Sequence, residues 1–417
     1  MSKRIFGTTG VLVGALFLVC SAAFAASQAG QAVPAGEPTV PGANYASGLG
    51  APYLTTVGAP RKLAAAGIGA IGGKLGQAAA KAGTAAGKAA GPKVKRLSFR
   101  VGYLDIIGGI ESADRAHNSL RVALTRLGAK WIYCDGQGTP TKWVTCGNSL
   151  LAQNIDILAL TGIDPSTIPA VVASAKAKNI PIVDFGGTVG PGFAAQYAPD
   201  EAKNGRILAA YLKAKLASQS SANIASLDYP APWAQARTAQ LKAMVAANQK
   251  YKITVNATTD PTNLIAGTQK TVSDALTADP NLKAIWVSFD TAGQAAGQVV
   301  ASRYAGKKFP DKPLVVTFHA DPSTIGLMKS GAIDVVVDNN YDATAWELAD
   351  GVAQFLARKK AFPKYGTSFK YPGIGDPLVY EIVTPKNLPK VKNRYVAPKV
   401  DVVTYFLAKW RAEGLIK

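Results

Sequence analysis

Beyond residue 97 the chain alternates two apolar patterns. Short runs of branched and aromatic residues, such as Phe99, Val101, Tyr103 and Leu104, have the length of buried strands, and the stretches between them carry apolar residues at helical spacing. In one such stretch, Ala116, Leu120, Ala123, Leu124 and Leu127 fall on one face of a helix over 112–127, which Gly128 stops. Strands are predicted first at 99–104, from 131, at 155–160 and at 180–185, with later helices at 168–177 and 201–216. A second series follows at 222–227, 253–255, 284–289, 314–318 and 333–337, separated by Ala-rich helices at 233–247, 266–276, 292–304 and 323–329. Regular strand-helix alternation predicts an α/β fold of two doubly wound, Rossmann-like lobes with a ligand cleft between them.

The first 97 residues follow neither pattern. Lys3 and Arg4 precede an apolar run over 11–19, and Ala23 and Ala25 supply the small residues a signal peptidase needs, so export with cleavage after Ala25 is expected. Cys20 leaves lipidation as an alternative, although Val19 is large for that signal. Residues 26–96 are dominated by Ala, Gly, Pro and Lys and read as a low-complexity linker, too poor in large apolar residues to form a core. Lys74, Lys81 and Lys88 recur every seven residues, a spacing that suits either a solvated tether or a basic helical stripe in weak contact with an acidic envelope surface. The GxGxxG from Gly67 to Gly72 has no strand before it and is a chance match in glycine-rich sequence.

Charge changes this picture little. The formal net charge of +20 suggests nucleic acid until its placement is counted: +9 lies in the first 98 residues, and the rest is spread over 319. With no helix-turn-helix signature, no nucleic-acid partner is expected. Removal of the leader leaves Cys134 and Cys146, whose separation does not fit a zinc knuckle; in an exported chain they read as a disulfide, with two buried thiols as the alternative.

In doubly wound sheets ligands sit beyond the carboxyl ends of the strands, which selects Asp105, Asp184, Trp233, Phe289, Asp290, His319, Asp321 and Tyr341, with Tyr229 beside them. Polar hydrogen-bonding groups next to aromatic faces suit a small polar organic ligand with an apolar face. Catalytic signals are missing: there is no GxSxG, HExxH or Walker loop, His117 is expected to face solvent from its helix, and His319 has no nucleophile placed to partner it. No enzyme, cofactor or metal site is predicted.

The order of several local patterns carries a resemblance. Arg126-Leu127-Gly128, Asp135-Gly136-Gln137-Gly138, Gln153-Asn154-Ile155-Asp156, Ala177-Lys178-Asn179-Ile180-Pro181, Ala198-Pro199-Asp200, Leu276-Thr277-Ala278-Asp279-Pro280 and Val315-Val316-Thr317-Phe318 succeed one another over nearly 300 residues. In this the region 100–383 resembles the type I periplasmic binding proteins, the ribose-binding-like solute receptors of ABC transporters. The resemblance implies a monomeric periplasmic or extracellular receptor that closes two lobes on a small molecule, a sugar or sugar-like one by default, and delivers it to an ABC permease. Presentation to a sensor kinase or chemoreceptor, or an exported enzyme, are the alternatives. The expected lobes are 97–218 with 340–372, and 221–338 with 376–384; crossings fall near 218–222, 338–340 and 371–377, and 385–417 form an extension. By aligned order the cleft takes Ile107 and Glu111 after the first strand, then Gly186, Gly187, Gln235, Asn263, Phe289, His319 and Asn339. Sugar binders of the family place Asp-Arg where Gly186-Gly187 stand, Arg at Gln235 and Asp at His319, so the sugar-gripping charges are absent here at all three places, with Asp184 and Asp321 the nearest substitutes. Arg237 is assigned to its helix rather than to the pocket.

Overall fold

The computed structural model describes residues 70, 72–187, 190–363, 380–388 and 401–417. The leader, Cys20, most of the low-complexity segment and the crossing expected at 371–377 lie outside them.

The first sheet contains β1 (Phe99–Asp105), β2 (Ala129–Asp135), β3 (Ile157–Thr161), β4 (Ile182–Phe185) and β5 (Ala195–Tyr197), in the order β2-β1-β3-β4-β5 and wholly parallel. Its helices are α2 (Glu111–Arg126), α3 (Pro140–Leu151) and α4 (Pro169–Ala177). The second sheet holds β6 (Ala222–Asp228), β7 (Tyr251–Thr258), β8 (Leu282–Val287), β9 (Leu314–Phe318), β10 (Val335–Asn339) and β11 (Tyr380–Val383), in the order β11-β10-β9-β8-β6-β7, with β11 alone antiparallel. Around it lie α5 (Glu201–Lys215), α6 (Pro232–Ala246), α7 (Leu264–Ala278), α8 (Asp290–Arg303) and α9 (Pro322–Lys329). Four of these helices, α3, α4, α6 and α9, begin with proline, whose fixed φ suits the first turn and whose missing N–H costs nothing there. The Asp200 carboxylate caps α5 by accepting the Lys203 N–H at 2.8 Å.

Two helices change sides. α5 packs on α6 and on β9, β10 and β11, so the chain leaves the first lobe before α5, at 198–200, and not near 218–222 as expected. α10 (Tyr341–Arg358) follows β10 but packs on α2, β4 and β5, so the return crossing falls at Asn340, whose side chain caps the helix through Ala343 N–H. Between these crossings Arg115 of α2 pairs with Asp338 at 3.2 Å and with Asp342 at 3.3 Å, all three side chains nearly inaccessible. A disulfide joins Cys134 at the end of β2 to Cys146 in α3.

The low-complexity segment is not all tether. Residues Gly73–Ala89 form α1, which lies along α11 (Val402–Glu413), and α11 in turn stacks Trp410 on Trp346 of α10 at 5.4 Å. Composition hid this because the contact is made by backbone: Gly76, Ala79, Gly83 and Gly87 are buried, and Lys74, Lys81 and Lys88 point outward. A Cβ on Gly83 would collide with the Tyr405 carbonyl, and one on Gly87 with that of Lys409. His117 also departs from expectation. It is wedged in an aromatic stack, 4.8 Å from the rings of both Tyr103 and Tyr133, and burial drives its pKa down to about 3.

Gly83→Leu is expected to undock α1, raising amide exchange across 73–89 and lowering stability by about 1–3 kcal/mol. Exchange unchanged from wild type would show that the close approach is not required.

Candidate ligand-binding site

The carboxyl ends of both sheets face each other across a cavity of about 60 Å³, against roughly 10–15 Å³ for one water. Ile106, Ile107, Ala113, Ala116 and Phe185 give it an apolar wall from the first lobe. Tyr229, Trp233 and Phe289 give an aromatic wall from the second, their ring centroids 5.0–5.5 Å apart. Gly162 and Gly186 complete the first wall in left-handed conformations, φ 69° and 79°, which a side chain would strain.

One hydrophobic cluster runs without a break from Leu158 and Ile163 of the first lobe through Ile106, Trp233 and Phe289 to Ile285 of the second. Polar contacts also span the cleft. Glu111 at the start of α2 accepts the Ser323 N–H at 2.9 Å and its hydroxyl at 2.8 Å, and Trp233 Nε1 donates to the Gly162 carbonyl at 3.3 Å. The lobes are therefore closed.

Arg237 forms the floor, one turn of α6 beyond Trp233. Its Nε donates to Glu201 Oε2 at 2.6 Å, Nη1 to the Ser288 carbonyl at 3.0 Å and Nη2 to the Tyr341 hydroxyl at 3.0 Å. Nη2 also lies 3.2 Å from His319 Nε2. The guanidinium sits 4.4 Å from the Phe318 ring centroid and 5.0 Å from that of Trp233. Burial alone would disfavour its charge; Glu201 more than offsets this. His319 adopts φ 63°, and burial, with Arg237 and Arg115 nearby, holds its pKa well below the usual value. A guanidinium only donates, so His319 Nε2 is the acceptor and the proton sits on Nδ1, which is buried without a protein partner. The Tyr341 hydroxyl in turn donates a hydrogen bond to Glu201 Oε1 at 3.1 Å.

Of the residues expected at the cleft, Ile107, Gly186, Trp233, Phe289, His319 and Tyr341 line the cavity. Asp105, Asp184, Gly187, Asp290, Asp321 and Asn339 are buried behind it, and Glu111 bridges the lobes as described. Gln235 and Asn263 are exposed and outside it. Arg237, assigned from sequence to its helix, is instead the central polar residue of the pocket, because Glu201 and Tyr341 reach it from α5 and α10. Its position one turn beyond Trp233 was the available signal. Asp105 accepts the Tyr133 hydroxyl at 3.2 Å and stands with Asp114 and His117, ligand atoms of the three within 4.8 Å of one another, but outside the cavity wall.

This geometry defines a two-lobed binding protein that encloses a small solute where its sheets meet. A family model described as a periplasmic binding protein domain matches residues 108–360, more than half of the chain, and the chain belongs to that family. Its fold is that of solved transporter receptors of low sequence identity. A sugar transporter subunit from Rhodobacter sphaeroides superposes with TM-score 0.60 at 17% identity, covering 69% of this chain and 99% of its own. A solute-binding protein from Agrobacterium vitis with bound allitol gives 0.61 at 17%, covering 70% and 98%. One from Burkholderia graminis in complex with D-arabinose gives 0.61 at 18%, covering 72% and 99%. No curated protein sequence matches this chain.

Two outcomes are expected. Glu201→Gln leaves Arg237 charged without its counterion in a dry site and should cost about 3–5 kcal/mol in chemical denaturation. Burial raises the pKa of Asp184 to about 8, and that of Asp105 also to about 8, from an ordinary value of 3.8. Groups raised in the folded state contribute fully below pH 4 and lose that contribution as pH climbs through 8. Denaturation midpoints should therefore fall from pH 5 to pH 8, and fall less in Asp184→Asn; an equal fall in the variant would contradict the assignment.

Proposed function

We propose that this chain is an exported solute-binding protein that encloses a small organic molecule between its lobes and presents it to an ABC transporter permease. The cavity supports this most directly: its walls come from both lobes, so an occupant would contribute to closure. Family membership implies a periplasmic location, and cleavage after Ala25 is the proposed route there. The crossings at 198–200 and at Asn340 then serve as hinges, with Arg115 between Asp338 and Asp342 as their buried pivot. Sugars and alditols are the solutes named for the matched structures and set the scale of cargo such a cleft takes. Among the described residues, no helix is long and apolar enough to cross a membrane.

A thermal-shift screen of sugars, polyols, aromatic compounds and amino-acid-like molecules tests the reading. At least one class should raise the melting temperature with a saturating concentration dependence. For that compound Trp233→Ala should weaken binding by about 1–3 kcal/mol in titration calorimetry, through lost ring contact and a lost closing bond to Gly162. Affinity unchanged in this variant would remove the cavity from the binding site.

A further inference from the structure

The polar groups of the cavity wall are almost all committed to the protein itself. The Thr161 hydroxyl is paired with that of Tyr103, while the Ser112 hydroxyl stands near the Asp290 carboxyl without a hydrogen bond to it. Trp233 donates to Gly162, while the Gly162 and Gly186 amides donate to the Phe185 and Tyr197 carbonyls. Arg237 and Tyr341 are held by Glu201, Ser288 and His319. Among the described residues, two side-chain groups on the wall are buried and without a partner: the Tyr229 hydroxyl and the His319 Nδ1–H. Among the described residues, no carboxylate or lysine lines the cavity, and the Arg237 cation there is neutralised by a carboxylate 2.6 Å away.

These groups set the ligand chemistry. A monosaccharide brings four or more hydroxyls, each needing a partner once water is expelled, and each left unpaired costs roughly tenfold or more in affinity. A carboxylate or ammonium would enter without a counterion. The aromatic wall and the aliphatic one opposite it reward an apolar body. Resting on the solute-binding reading above, we infer that the cavity selects a compact neutral molecule with an aromatic or alicyclic body and one or two hydrogen-bonding atoms. One of these accepts from His319 Nδ1–H, and one meets the Tyr229 hydroxyl. Such a ligand is a small cyclic alcohol or ketone, not a polyhydroxylated sugar.

The test compares benzyl alcohol and acetophenone with D-arabinose, D-galactose, benzoate and benzylamine, using thermal shift and calorimetry on the full chain. The two neutral aromatics should stabilise the protein in a saturable way and bind at least tenfold more tightly than either sugar or either charged analogue. Tyr229→Phe, which deletes one oxygen from the wall, should weaken benzyl alcohol at least fivefold and leave the melting temperature of the free protein within a degree. Stabilisation by D-arabinose or D-galactose in preference to the neutral aromatics would overturn this ligand class and leave the solute-binding reading standing. Preference for benzoate or benzylamine would overturn the neutrality of the ligand. Stabilisation by none of the six, together with silence in the wider screen above, would overturn both readings. An unchanged benzyl alcohol affinity in Tyr229→Phe would overturn the assignment of that hydroxyl as a ligand partner.

Discussion

The guanidinium of Arg237 is the point where the separate parts of this molecule meet. Glu201 from α5, the Ser288 carbonyl beyond β8, His319 beyond β9 and Tyr341 at the start of α10 all converge on it. Two of those partners stand next to the chain crossings, so one buried charge fixes both where the second lobe ends and how the pocket floor is shaped. A buried ion pair contributes little net stability, since desolvation of both charges offsets their attraction. Its effect is geometric: with the Arg237 donors directed to fixed acceptors, His319 is held in one tautomer and the Tyr341 hydroxyl is directed to Glu201. Removing the pair would loosen the ends of four elements at once.

This chain shares a scaffold with solved sugar-transporter receptors but lacks the cleft charges that the resemblance leads one to expect. Where the resemblance leads one to expect charged groups that grip hydroxyls, this chain has glycines at 186 and 187, an exposed Gln235 and a neutral His319. The lobes here meet through an unbroken apolar cluster, which contributes roughly 25 cal/mol for each Å² withdrawn from water and does not depend on matching donors to acceptors.

Much of the architecture was legible in the sequence because doubly wound folds repeat two strong periodicities. Most strands of both series, and helices such as α2 with its Ala116, Leu120, Ala123 and Leu124 face, follow from apolar spacing alone. Helices α3 and α10 go unpredicted although both carry buried apolar positions at helical spacing, whereas the missed strands lack a signal of their own. β5 is three residues long and β11 is a four-residue edge strand with only Val383 fully buried. The first crossing was misplaced because a helix between two sheets carries no mark of which one it covers; α5 is amphipathic either way. Aromatic residues just beyond strand ends line the cavity, since large rings there have few places to go. Charges misled. Arg237 read as belonging to its helix rather than to the pocket because its counterion stands 36 residues away in sequence, and His117 read as facing solvent because the rings that enclose it come from β1 and β2. Carboxylates such as Asp184 and Asp321, expected at the cleft, are buried behind the cavity wall, a difference that periodicity does not resolve.

The docking of α1 on α11 bears on how such a receptor is held. Both helices lie outside the matched region 108–360, and both rest on the first lobe through α10. A face made of Gly76, Ala79, Gly83 and Gly87 brings backbone against backbone, so the joint has few rotamers to rearrange and little slack under load. Anything attached ahead of α1 therefore pulls on the first lobe alone. On the solute-binding reading proposed above, opening of the cleft would then be a movement of the second lobe relative to that joint.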